Sequence, residues 1–136
     1  MQVPDTITLA YRSDLAVLTV RWLTDSSVAT LREEYEAVLL ADDLRRSPRW
    51  LFAVRRRPTT DAEAARWVIA DWLPRVVEAI APARLRLAYL VTHTRIEALR
   101  ENQPLRAVMD DALVPAHPYD MAVFSDEGEA MRWLLA

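Results

Sequence analysis

The chain has 136 residues, of which 52% are apolar, and its seventeen basic side chains stand against twenty acidic ones for a formal charge of −3. That balance suits one compact soluble domain over residues 1–136 and leaves no strongly cationic surface for nucleic acid or anionic lipid. With no cysteine, disulfides, thiol catalysis and zinc–thiolate sites are excluded, and two histidines cannot complete a metal shell, so neither a metal nor a cofactor is expected.

In chain order, Ile7 to Tyr11 and Leu15 to Leu23 are β-rich runs separated by Arg12-Ser13-Asp14, the pattern of an antiparallel hairpin. Thr24 to Ser27 offers N-caps, and Val28, Leu31, Tyr35, Val38 and Leu39 recur at helical spacing toward Leu44. After the polar break Arg45–Pro48, the continuous apolar run Trp50–Val54 predicts a strand covered on both faces, released into solvent by Arg55-Arg56-Arg57. Thr60 and Glu63 fit a capping box, so a second helix is predicted from about Asp61 through Ala81. Its stripe of Ala65, Ile69, Trp72, Leu73, Val76 and Ile80 continues across Pro74, which predicts one kinked helix rather than two.

Leu85 to Val91 reads as the fourth strand, and Thr94 with Glu97 as a second capping box. Pro104 divides the following segment into a short helix or irregular turn and a helix carrying Leu105, Val108, Met109 and Leu113. A loop bounded by Pro115 and Pro118 leads to the last strand, Met121–Phe124, and Ser125-Asp126-Glu127 caps a terminal helix that buries Ala130, Met131 and Leu134. This order predicts an α/β fold: a single mixed, mostly parallel five-stranded sheet with an antiparallel N-terminal strand and helices on both faces.

Trp67-Val68-Ile69-Ala70-Asp71-Trp72-Leu73-Pro74, and Phe124 to Glu127 with Ala130, Trp133 and Leu134, resemble the central and closing segments of SpoIIAA-like, STAS-type domains, in particular a bacterial group of small stand-alone members. The resemblance implies the same fold over nearly the whole chain and is almost silent on activity. Anti-sigma-factor antagonists of the wider family carry a phosphorylatable serine in an Asp-Ser-x-Gly context after the third strand. Here Arg57-Pro58-Thr59-Thr60-Asp61-Ala62 holds neither serine nor glycine, so the partner-switch function is not carried over, and capping already explains the Thr60 hydroxyl.

All seventeen basic residues are arginine, which removes lysine chemistry, and Gly128 is the single glycine, so no glycine-rich phosphate cradle or nucleophile elbow is present. Ligands of open α/β sheets sit beyond the carboxyl ends of the strands, a rim predicted to gather Arg55, Arg56, Thr59, Thr60, Thr92, His93, Thr94 and Ser125. Arg55, Arg56, Thr60, His93 and Ser125 would suit an anionic metabolite or a lipid headgroup, although helix capping accounts for the hydroxyls as well. No nucleophile is fixed relative to His93, so no catalytic residue is assigned. The acidic pairs Glu33-Glu34, Asp42-Asp43 and Asp110-Asp111 read as solvated faces, and Arg32 with Glu36 as a surface pair. Trp67 falls opposite the apolar stripe, beside Asp71 and Arg75; it is covered either by a loop or the third helix, or by a second copy of the chain. The resulting expectation is a non-enzymatic regulatory or scaffolding domain acting through protein contacts, as a homodimer or with another protein. No apolar run approaches the ~18 residues of a membrane span and no signal-peptide pattern opens the chain, so a cytoplasmic location is expected.

Overall fold

Ile7, Leu9 and Tyr11 alternate with Thr8, Ala10 and Arg12, and this period of two gives β1 (Ile7–Arg12) one apolar face. In the computed structural model, which describes residues 5–23, 28–41, 47–54, 62–101, 103–112 and 117–136, β1 pairs antiparallel with β2 (Val17–Trp22), Leu9 facing Val20 and Tyr11 facing Leu18. The turn between them takes in Leu15 and Ala16, which were predicted as strand. Ala16 stands at φ 54°, in the left-handed region, and the Ser47 hydroxyl donates to its carbonyl.

β3 (Arg49–Ala53), β4 (Leu85–Leu90) and β5 (Tyr119–Phe124) add in parallel, so the sheet runs β1-β2-β3-β4-β5 without reversal. The fold is therefore the mixed five-stranded α/β sheet that the element order implies, with β5 starting two residues before the predicted Met121. Each crossover advances to the next strand in one direction, and right-handed crossovers of that kind place their helices on one side. Accordingly α1 (Val28–Leu40) and the helix between β3 and β4 cover the face made by Leu18, Val20, Trp22, Trp50, Phe52, Leu85 and Leu87. Ile96 of α4 (His93–Glu101) reaches the margin of the same cluster, and α5 (Gln103–Ala112) lies against α4 and the start of the β3–β4 helix. The second face carries α6 (Glu127–Leu135), whose Ala130 and Leu134 cover Val17, Leu51, Ala53, Ala88 and Leu90.

The β3–β4 helix is continuous but not uniform. It consists of α2 (Ala62–Trp67), a π-helical turn over Val68–Trp72, and α3 (Leu73–Ile80). Pro74 has no N–H to give to the Ala70 carbonyl and its ring crowds that oxygen; the wider turn immediately upstream relieves both, with Leu73 N–H donating to the Val68 carbonyl. The extra residue shifts the phase of the stripe. Val68 becomes buried and Ile69 only partly so, whereas the uniform helix predicted from the sequence buried Ile69.

The caps also differ in detail. Thr92 Oγ1, rather than Thr94, accepts from the Arg95 N–H (3.2 Å) at the start of α4, and Glu97 pairs with Arg100 (3.2 Å) instead of reaching back to the cap. Asp126 caps α6 as predicted, accepting from the Glu129 N–H at 2.9 Å. Before Pro104 the chain is the regular helix α4. The expected caps Thr24–Ser27 and Thr60, the end of the first helix toward Leu44, and Leu113 lie outside the described residues, as do the side chains of Val28, Leu105 and Met109.

Candidate functional site

Of the rim residues, Arg55, Arg56, Thr59 and Thr60 lie outside the described residues. His93 projects with 80% of its side chain exposed, 4.0 Å from Glu97, and Ser125 is partly buried beside the α6 cap. Because the strand order never reverses, the sheet topology does not open the crevice that a switch point creates. The α4 and α6 N-termini at this rim each direct an N–H to the chain's own Thr92 or Asp126.

Of Trp67, Asp71 and Arg75, expected at a self-association patch, Trp67 and Arg75 contact α1 within the chain and Asp71 pairs with Arg75. The π turn brings Trp67 and Trp72 to the same residue: Tyr35 packs edge-on to both, at centroid distances of 6.1 and 4.7 Å and interplanar angles of 88°. Arg32 lies over the Trp67 ring at 5.5 Å, so α1 supplies cover for it. Arg75 grips Glu36 of α1 with both terminal nitrogens and Asp71 at 2.8 Å, which raises the Arg75 pKa, chiefly through the Glu36 hydrogen bonds. Glu36 is thus the partner of Arg75, and the predicted Arg32–Glu36 surface pair is replaced.

Beneath this seam lies a ring cluster of Trp22, Tyr35, Trp50, Phe52, Trp72 and Tyr89. Its polar atoms are engaged inside the chain. Trp72 Nε1 donates to the Tyr35 carbonyl (2.8 Å), Trp50 Nε1 to the Ser47 carbonyl (2.8 Å), and the Tyr35 and Tyr89 hydroxyls share a 2.8 Å bond. Glu34 is fully buried and accepts from Trp22 Nε1 (3.0 Å) and from the Thr6 hydroxyl, pinning α1 to the β1–β2 hairpin. Reading Glu33-Glu34 as a solvated pair holds for the exposed Glu33 and fails for Glu34. The signal was present: Glu34 falls three residues after Leu31 and four before Val38, on the buried stripe.

The opposite rim, where the parallel strands begin, went unnoticed in the sequence. Arg84 clasps Asp120 through Nε and Nη2, both at 2.9 Å, and reaches the carbonyls of His117 (2.7 Å) and Tyr119 (3.1 Å). Those hydrogen bonds hold the Asp120 carboxyl below the usual aspartate range. His117, expected as a plain loop residue, stacks on Tyr119 at 5.0 Å and reaches the Asp111 carbonyl (2.7 Å). The Tyr119 hydroxyl is buried without a hydrogen-bond partner among the described residues, and burial followed by the Asp111 charge raises its pKa. Arg86 lies over Trp133 at 4.4 Å and donates to its carbonyl, while Arg49 donates to the Leu15 carbonyl (3.2 Å).

Two further facts bound the chemistry: among the described residues no group of three or more acidic or histidine side chains is placed to hold a metal ion, and no helix is long and apolar enough to cross a membrane. Comparison with protein-family models, curated proteins and solved structures finds no match to this chain.

Proposed function

We propose that the chain is a non-enzymatic regulatory or scaffolding domain of SpoIIAA-like, STAS type that acts through protein contacts, and that its first partner is a second copy of itself. The observation that carries this reading is the edge strand β1. Its core-side residues Leu9 and Tyr11 stay partly exposed, whereas their cross-strand neighbours Val20 and Leu18 are fully buried. The Leu23 N–H donates to the Thr6 carbonyl, so with the β1–β2 register the peptide groups of Thr8, Ala10 and Arg12 face β2 and those of Ile7 and Leu9 point off the edge.

Antiparallel pairing of two β1 strands about Leu9 sets Leu9 against Leu9 and Ile7 against Tyr11 on the apolar face, with Thr8 against Ala10 on the other. Trp67 and Arg75, already engaged by α1, are not needed for this contact.

Sedimentation velocity at tens of micromolar tests the reading. The wild type is expected at twice its 15.6 kDa chain mass. Leu9→Pro, which removes an outward N–H without touching the β1–β2 ladder, is expected at the single-chain mass. A wild type that sediments as a single chain refutes self-association.

A further inference from the structure

We infer that Arg49 and Arg86 form a binding site for a small phosphoryl anion. The two are register partners on β3 and β4 and share the face that carries α6, so their side chains leave neighbouring strands about 4.8 Å apart in the same direction. Both are partly buried, and like charges directly opposite on a sheet repel. Neither forms an ion pair with a carboxylate among the described residues: the Arg49 side chain makes one hydrogen bond, to the Leu15 carbonyl, and the Arg86 side chain one, to the Trp133 carbonyl. Asp120, across β4 from Arg86, is occupied by the two-nitrogen clasp of Arg84.

Against this repulsion the chain sets the charge of Asp120, the register partner of Arg86 already clasped by Arg84, and otherwise partial charge. The Trp133 carbonyl belongs to the last turn of α6, the negative end of that helix, and the Trp133 ring holds the Arg86 guanidinium in place. Arg86 is thereby oriented on one side, with Nε buried and unpartnered, while Nη1 of Arg86 and Nε and Nη2 of Arg49 remain without acceptors among the described residues. Two planar forks carried on one face by paired positions of adjacent strands match an anion with three equivalent oxygens and two charges better than a carboxylate, which one fork can satisfy. The source is a free phosphate or a phosphate monoester. The site is at the start of β3 and β4, away from the β1 edge, so it stands independently of self-association.

The test is thermal unfolding of the full chain titrated with sodium phosphate or phenyl phosphate at constant ionic strength set with chloride. A ligand that prefers the folded state raises the midpoint saturably by mass action. The expected result is a rise of several degrees with either anion in the wild type and in Arg12→Gln, and at least ten-fold weaker apparent binding in Arg49→Gln and in Arg86→Gln. In chloride alone Arg49→Gln is expected to unfold no earlier than wild type, since it removes a repulsion; a purely structural arginine would lower the midpoint. Backbone amide shifts of the wild type provide a readout that needs no variant. Saturable movement centred on Arg49, Arg86 and Trp133 supports the site. No phosphate-specific rise, a rise that both variants keep, or movement confined to the α4 and α6 N-termini overturns it.

Discussion

Trp72 offers the most direct test of the packing described above. It is fully buried within the π turn, its ring meets Tyr35, Trp50 and Phe52 at centroid distances of 4.7 to 5.9 Å, and its N–H is bonded to the Tyr35 carbonyl. Trp72→Ala removes all of this. Truncating a buried Trp costs roughly 3–5 kcal/mol, and three lost ring pairs place this site at the upper end, about 5 kcal/mol, which is a large share of a typical domain stability of about 5–15 kcal/mol. Trp72→Phe keeps most of the ring contact and loses the hydrogen bond and a small volume, for about 1–2 kcal/mol. Trp67→Ala, at a partly buried ring covered by Tyr35 and Arg32, is expected near 2 kcal/mol. Urea unfolding followed by far-ultraviolet circular dichroism avoids the confusion of five tryptophans. With a slope of about 1.5–2 kcal/mol per molar, Trp72→Ala lowers the midpoint by about 2.5–3.3 M and Trp67→Ala by about 1–1.3 M. If Trp67→Ala is as costly as Trp72→Ala, or Trp72→Phe costs nothing, the account of the π turn as the device that seats Trp72 in the core is refuted.

The Tyr119 hydroxyl, without a partner among the described residues, reverses the usual sign of a Tyr→Phe change: Tyr119→Phe is expected to be neutral or to stabilise by up to about 1 kcal/mol, because no hydrogen bond to them is lost and a buried polar atom disappears. A loss of more than about 1 kcal/mol in the same urea assay would show that the hydroxyl has a partner. The Arg84–Asp120 clasp predicts a pH dependence. The folded carboxyl titrates below its unfolded value, so its stabilisation is present above about pH 4 and is lost as the pH falls through the lower, folded pKa. The difference in thermal midpoint between wild type and Asp120→Asn is therefore expected to be constant from pH 7 to about 5 and to close toward pH 2; a gap unchanged at pH 2 contradicts the assignment.

The elements were legible in the sequence wherever one period dominated. The run Trp50–Val54, the alternation in β1 and the Leu31, Tyr35, Val38 stripe of α1 each carry their signal within a few residues. What escaped depends on the chain meeting itself. Pro74 announced a kink but not the way the backbone absorbs it, and the added residue of the π turn is what carries Trp67 from the solvent side to the flank of Tyr35. Glu34 was hidden by its acidic neighbour, since adjacency on paper says nothing about which of two carboxylates faces the sheet. The row Arg49, Arg86, Asp120 could not be seen at all: its members are more than thirty positions apart and become neighbours only once the strand order and register are fixed.

The unreversed strand order has a consequence for how the chain reaches this state. Every strand after the first docks on the one made immediately before it, so no segment waits for a distant partner still to be synthesised. During translation the sheet can grow at a single advancing border, each crossover helix sealing the newest strand as it leaves the ribosome, while α6, emerging after β5, closes the reverse side over Leu51 and Ala88.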